Sequence, residues 1–311
     1  MRRFLALGAA VLCGASLTAC GGDAEPATAD GTRSAKVAGV TVETDPELHD
    51  RLPERIREAG KVRVASDVPY PPFEMFEKEG GTRITGLDYD LGQALGARLG
   101  VEFAFTPQKF DGIVPAIQAG KYDVAISAMT DNKQRQKVLD FVDYSVSGTG
   151  ILVREGNPEG IRTALDLCGL RVAAQAATNQ ADFVKELGPE CAKADKGKID
   201  LQTYPKDSDT QLALSSGKAD AAVITKPAAG YIAKTAGDGS TFDLVDDPEA
   251  KGGYNASPNG IAVSKKLPEL TDAIQAALQQ LIDDGTYGKI LDKYGVRSIG
   301  VEKATKNAAV D

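Results

Sequence analysis

The stretch from Gly120 to Arg135 reads GKYDVAISAMTDNKQR. A Gly-Lys turn opens it. The apolar run Val124-Ala125-Ile126 follows, and its length and two β-branched residues predict a buried strand. Small and polar residues come next, among them Ser127, Ala128 and Thr130. Asp131 then reads as a helix N-cap, with Gln134 three residues on to complete a capping box. Arg135 falls in the first turn of that helix. A strand's carboxyl end, free backbone N–H groups, a hydroxyl and a guanidinium are therefore expected to converge at one point. Such a point suits a small carboxylate, because the Arg fork gives it two hydrogen bonds and the helix start adds partial positive charge.

The ends of the chain place it outside the cytoplasm. Arg2-Arg3 precede an apolar or small run from Phe4 to Leu17, too short to span a bilayer and typical of an export signal. The run ends in Leu17-Thr18-Ala19-Cys20-Gly21-Gly22, the pattern at which a bacterial lipoprotein signal is cleaved. Residues 1–19 are read as that signal and Cys20 as the lipidated N-terminus, so the lipid is the only expected contact with the membrane. Residues 20–48 are poor in apolar side chains and read as a flexible tether.

Cysteine usage fits this compartment. Cys13 leaves with the signal and Cys20 takes the lipid, so Cys168 and Cys191 remain as an even pair and are expected to form a disulfide. The single histidine, His49, lies in the tether region, which argues against a His-based metal site or a Ser-His-Asp triad. Neither a metal nor a cofactor is expected. Without Arg2 and Arg3 the chain carries 34 basic and 44 acidic residues, a net charge of −10, which argues against nucleic acid as a partner.

The body alternates strands and helices. Leu52 to Ala59 predicts a short helix stopped by Gly60, and KVRVAS at Lys61–Ser66 predicts a strand. Pro69, Pro71 and Pro72 stiffen the next loop, which is expected to present Asp67, Tyr70 and Phe73. Leu91, Leu95 and Leu99 mark a helix ending at Gly100, and Val101 to Phe105 a strand. Phe110, Ile113, Val114 and Ile117 share one helix face. Such alternation predicts an α/β architecture with largely parallel pairing and a ligand beyond the strands' carboxyl ends, where Asp67, Ser127 and Arg135 fall.

A second lobe repeats the first. Gly120-Lys121-Tyr122-Asp123-Val124-Ala125 matches Gly217-Lys218-Ala219-Asp220-Ala221-Ala222, and Lys109-Phe110-Asp111 matches Lys206-Asp207-Ser208, both at an offset of 97. Val62-Arg63-Val64-Ala65 matches Leu170-Arg171-Val172-Ala173 at an offset of 108. Two related lobes facing each other would form a cleft, with Gln175, Thr178, Asn179 and Thr225 on the second side. Ser145–Arg154 and Thr241–Ala262 are the expected crossings. Their glycines, Gly148, Gly150, Gly252 and Gly253, either absorb a hinge rotation or form ordinary turns. The expected division is residues 49–148 plus 250–300 for lobe 1, 149–249 for lobe 2, and a frayed polar tail at 301–311.

The chain resembles the extracytoplasmic solute-binding proteins of bacterial ABC importers, of the polar amino acid-binding family. The resemblance runs from the lipobox to about Gly295. It is carried by Tyr-Pro-Pro-Phe-Glu at 70–74, Gly86-Leu87-Asp88-Tyr89-Asp90-Leu91, Phe110-Asp111-Gly112 through Met129-Thr130, and Arg135. Asp140-Phe141, Asp166-Leu167-Cys168-Gly169 and Asp284-Gly285-Thr286-Tyr287-Gly288 complete it. It implies a two-lobed periplasmic-binding-protein-like (type II) fold with a hinge and an interlobe ligand cleft. The implied protein is a monomer that captures a small-molecule ligand and delivers it to the transporter's membrane subunits.

The resemblance also implies roles. Arg135 matches the residue that holds the ligand's α-carboxylate, and Ala128 and Thr130 offer backbone and hydroxyl hydrogen bonds. Phe110 and Tyr70 match stacking aromatics, and Asp67 a contact to a cationic side chain. Thr178 and Asn179 match second-lobe donors, although Ala177 replaces the usual Gly and Asn179 the usual Thr. Thr225 stands where the family usually carries an Asp for the α-ammonium. Asp67 or Glu74 then substitutes, or the ligand lacks an α-amino group. Two rivals share the fold: a cyclohexadienyl dehydratase-like enzyme, and a receptor that signals to a partner.

Overall fold

The computed structural model describes residues 33–309 apart from Glu79; the signal and Cys20 lie outside the described residues. The strands β1 (Ser34–Val37) and β2 (Val40–Glu43) pair as an antiparallel hairpin. Ala35, Val37 and Val42 enter the core of lobe 1, where Leu48 of helix α1 (Pro46–Asp50) joins them. The tether expected over residues 20–48 is thus corrected from residue 34 onward. Its few apolar residues alternate, so they share one face of a hairpin.

Lobe 1 then builds as the periodicity predicts. Helix α2 (Glu54–Ala59) ends on Gly60, whose φ of +61° is the left-handed conformation that favours glycine. Strand β3 (Lys61–Ser66) leads into the proline loop, followed by the two-residue strands β4 (Met75–Phe76) and β5 (Ile84–Thr85). Helix α3 (Leu87–Leu99) buries its leucine stripe, β6 (Glu102–Pro107) pairs with β3, and α4 (Phe110–Gln118) packs on the other face through Ile113 and Ile117. Strand β7 (Val124–Ala125) pairs parallel to β3. The following helix, α5 (Lys133–Gln136), is a single turn.

The long strand β8 (Leu139–Arg154) carries the chain into lobe 2. There β9 (Arg171–Gln175), α6 (Asn179–Glu186), α7 (Gly188–Lys193), β10 (Asp200–Tyr204), α8 (Asp207–Ser215), β11 (Ala221–Thr225), α9 (Lys226–Thr235) and β12 (Phe242–Leu244) follow in order. Strand β13 (Tyr254–Ser264) returns to lobe 1, which α10 (Pro268–Asp283), α11 (Thr286–Lys293) and β14 (Gly300–Lys306) complete. The hydrogen-bonded order is β10-β9-β11-β8-β13-β7-β3-β6, with β12 and β14 also on β8. Pairing is parallel at the heart of each lobe. It is antiparallel wherever β8 and β13 take part, because these two strands run between the lobes in opposite directions.

The internal repeat has a physical counterpart. In lobe 1 the Asp123 carboxylate accepts from the Arg63 backbone N–H (2.9 Å) and from its Nε (2.9 Å) and Nη2 (2.7 Å). In lobe 2 Asp220 accepts from Arg171 in the same three ways, at 3.0, 3.0 and 2.5 Å. The fork ties β3 to the turn before β7 in lobe 1, and β9 to the turn before β11 in lobe 2. The repeated Gly-Lys-x-Asp motif therefore marks the same joint built once within each lobe rather than chance composition.

Two further expectations meet the structure here. The tail is not frayed as far as Ala309. β14 pairs with β8, Ala304 is buried, and the backbone N–H groups of Ala308 and Ala309 donate to Asp143 (3.2 Å) and Asp131 (3.0 Å). The buried carboxylates, invisible to local composition, are what hold it. Cys168 and Cys191 do form a disulfide, with Cα atoms 5.6 Å apart. The bridge closes a separation of 23 residues, so Cys168→Ser/Cys191→Ser is expected to lose about 3 kcal/mol in urea unfolding.

Candidate ligand-binding cleft

A small cavity lies between the lobes, where the strand ends of each face the other. Lobe 1 lines it with Asp67, Tyr70, Phe110, Ser127, Ala128, Thr130 and Arg135. Lobe 2 adds Gln175, Thr178, Asn179 and Thr225. Every cleft residue named from the sequence is at its wall. Glu74 and Gln180 also line it. Gln180 carried no motif of its own and is found only because helix α6 starts at the cavity.

Arg135 is half-buried and reaches across the cleft. Its Nη1 donates to the Thr130 carbonyl (2.7 Å), its Nη2 to the Ala177 carbonyl of lobe 2 (3.0 Å), and it lies 5.4 Å above the Phe110 ring. None of the ion pairs among the described residues includes it. Burial lowers its pKa to about 10, so it remains cationic at neutral pH. Phe110 therefore faces the guanidinium as a cation–π partner.

The capping box expected at Asp131 and Gln134 is corrected. Asn132 is the N-cap, its Oδ1 accepting from the Arg135 N–H at 2.7 Å. Asp131 is fully buried and instead accepts from Gln136 and Ala309. One turn of helix has no useful macrodipole, so α5 does not supply the expected positive end. The eight-residue helix α6 of lobe 2 is the longer candidate: its first residues, Asn179 and Gln180, line the cavity.

Several expected donors are already engaged. The Ala128 N–H donates to Asp88 (2.7 Å). The Ser127 hydroxyl donates to Glu74 (2.6 Å) and accepts from the Asp67 N–H (2.9 Å). The Thr178 hydroxyl donates to the Gln175 carbonyl and accepts from the Ala181 N–H, so it caps α6. Phe73, expected at the loop surface, is fully buried in the core of lobe 1. A tight turn, with Tyr70 and Glu74 bonded through both backbone groups, sends it inward.

Direct contacts bridge the lobes. The Tyr70 hydroxyl accepts from the Thr225 N–H (3.0 Å) and lies 3.0 Å from the Thr225 hydroxyl. Gln175 Nε2 donates to Asp67 Oδ2 (2.5 Å), and Asn132 Nδ2 to Asn179 Oδ1 (3.0 Å). The cleft is closed. Asp67, expected to meet a cation, thus meets an amide of the opposite lobe.

Behind the wall, Glu74 and Asp88 are buried side by side. Asp88 accepts from the Tyr144 hydroxyl and the Ala128 N–H. Burial, then the charge of Asp88, holds the Glu74 pKa well above the usual carboxylate range, which favours its neutral form. Glu74→Gln is accordingly expected to change thermal stability by less than about 1 kcal/mol, since an amide replaces a neutral acid of the same shape.

Burial is also the first cause that pushes Asp88, Asp143 and Asp207 up to about 6. These groups bind protons more tightly when folded, so their stabilising protonation is lost as pH rises through about 6. Asp123 and Asp220 are depressed, and their contribution is lost only as pH falls below the ordinary carboxylate value. Melting measured at pH 5.5 is therefore expected above that at pH 7.5, by about 2 kcal/mol or roughly 5 °C.

The model of the bacterial extracellular solute-binding proteins, family 3, matches residues 62–297. The arginine-binding protein ArgT of Corynebacterium glutamicum is 31% identical over 266 residues, covering 84% of this chain and 83% of that protein. The L-cystine-binding protein TcyJ of Escherichia coli K12 is 29% identical over 261 residues, covering 84% and 91%. A solved ancestral arginine-binding protein, bound to arginine, superposes with a TM-score of 0.66 at 32% identity, covering 76% of this chain and 98% of that one. These relatives are binding proteins and not enzymes, which sets the dehydratase rival aside. Two α/β lobes closed over a cavity, with the family match spanning both, place the chain among the bacterial extracellular solute-binding proteins of family 3.

Proposed function

We propose that this chain captures an amino acid or a related small carboxylate in its interlobe cleft and delivers it to an ABC importer. The observation that carries this is Arg135: a cationic fork without a carboxylate partner among the described residues, at the wall of a cavity that both lobes enclose. The ligand carboxylate takes Arg135 together with the first N–H groups of α6. The Thr130 hydroxyl and the Asp67 carboxylate take the remaining polar groups. Closure excludes water and strengthens these contacts. The strands β8 and β13 act as the hinge, and the importer's membrane subunits recognise the closed form.

The protein works as a monomer outside the cytoplasm, held to the membrane by a lipid on Cys20. Cys20→Ala is expected to release it into the medium. Titration calorimetry with the standard amino acids and with dicarboxylates tests the capture role. A saturable, one-to-one heat for at least one of them is expected, and none for any of them would refute the proposal.

A further inference from the structure

Helix α5 carries Arg135 yet buries no residue of its own. Apolar packing therefore does not hold this single turn in place, and polar contacts do. Asn132 caps it at one end. At the other end Gln136, next to Arg135 in the chain, donates through Nε2 to both oxygens of Asp131, at 2.8 and 2.9 Å. The Asp131 backbone is fixed in turn, its N–H donating to the Pro258 carbonyl of β13 at 2.8 Å. Asp131 thus joins the Arg135 turn to the sheet.

A second buried acid lies beside Asp131. Asp143 of β8 is within hydrogen-bond reach of it, both are almost fully buried, and among the described residues no cation pairs with either. Lys133 acts on Asp131 without pairing with it. Two acids in such a place need donors. The end of the chain supplies them. Thr305 Oγ1 and the Ala308 N–H donate to Asp143 Oδ2 at 3.1 and 3.2 Å, and the Ala309 N–H to Asp131 Oδ2 at 3.0 Å. Asn307 steers the chain there. It bonds the Phe141 backbone through its own N–H (3.2 Å) and its Oδ1 (2.8 Å), and its φ of +53° is left-handed. Ala309 ends buried.

We infer that residues 307–309 form a strap that holds the Arg135 turn in place through Asp131 and Gln136 and, on the basis of the cleft function proposed above, sets ligand affinity from outside the cavity. Neither the strap nor Asp131, Gln136 or Asp143 lines that cavity, so all of them act by positioning. Without the strap, water reaches the two acids and the donors that offset their repulsion are gone. Asp131 then no longer offers Gln136 a fixed acceptor. The guanidinium leaves the position that its bonds to the Thr130 and Ala177 carbonyls define, and ordering it again costs binding free energy.

The test is titration calorimetry on the full-length protein and on a variant lacking residues 307–311, with the standard amino acids and succinate as probes. The deletion is expected to weaken the tightest probe about tenfold. Gln136→Ala is expected to weaken it as much, and the two changes together by no more than about twentyfold, because both act through Asp131. Lys306→Ala removes a side chain that meets Asp272 of α10 and is expected to leave affinity unchanged. Should the deletion variant fail to fold, Ala309→Pro removes the one strap donor to Asp131 and takes its place. Without ligand, amide exchange at Arg135, Gln136 and Val138 is expected to quicken at least tenfold when the strap is removed. Affinity within twofold of the unaltered protein, or losses that multiply to about a hundredfold in the double variant, would overturn the inference. If no probe bound the unaltered protein, the cleft function would fall. Unchanged amide exchange would then overturn the strap as well, and faster exchange would leave it standing.

Discussion

Replacing Arg135 with alanine is expected to weaken binding of the best ligand by at least a hundredfold, about 3 kcal/mol. The ligand carboxylate would then sit in a closed cavity with no cation among the wall residues, and a charge buried without its partner costs that much or more. Arg135→Lys keeps the charge and loses the fork, so an intermediate loss of about tenfold is expected. The effect on the unliganded fold is small. Arg135 bonds only two carbonyls and stacks on one ring, so its removal is expected to cost about 1 kcal/mol of stability. Calorimetry on the wild type and both variants checks the order. Affinity within about threefold of wild type for the alanine variant would place the carboxylate elsewhere.

The second large effect lies at the crossing between lobes. Gly253 has φ +94°, and a Cβ there would lie 2.5 Å from the Gly148 carbonyl carbon and 2.8 Å from its Cα. Both neighbours are backbone, so no side chain can swing aside. Gly148 is pinned by its own N–H, which donates to the Gly252 carbonyl at 2.8 Å. Gly253→Ala therefore combines about 1 kcal/mol of backbone strain with about 3 kcal/mol of overpacking, a fall in melting temperature of roughly 10 °C. Gly252→Ala is the control. No atom lies within 4 Å of a Cβ there, and the change is expected to be nearly neutral. Equal melting temperatures for the two variants would show that the crossing strands yield more easily than their geometry indicates.

Much of the fold was legible locally. The stripe Leu91, Leu95 and Leu99, the face from Phe110 to Ile117 and the stops at Gly60 and Gly100 depend on backbone within a few residues, so periodicity alone finds them. The doubled motif around Asp123 and Asp220 announced two related lobes, because the same Arg-Asp fork is needed in each. Arg135 stood out because a cation after a strand's carboxyl end is placed by the topology itself.

The sequence by itself thus determined the α/β pattern, the two lobes and the residues at the cavity wall. Only the tertiary structure decided what each of those residues has left to offer. The Ala128 N–H is taken by Asp88, 40 residues away, and Ser127 by Glu74, 53 residues away. Tyr70 meets Thr225 across 155 residues, which engages both hydroxyls in the closed cleft. The Asn132 cap in place of Asp131, the packed hairpin at Ser34–Glu43 and the tail held by Asp131 and Asp143 have the same origin. A hydrogen-bonding group is free or engaged according to partners that no local window contains. Burial, which raises the Glu74 pKa, is likewise a property of the folded chain as a whole.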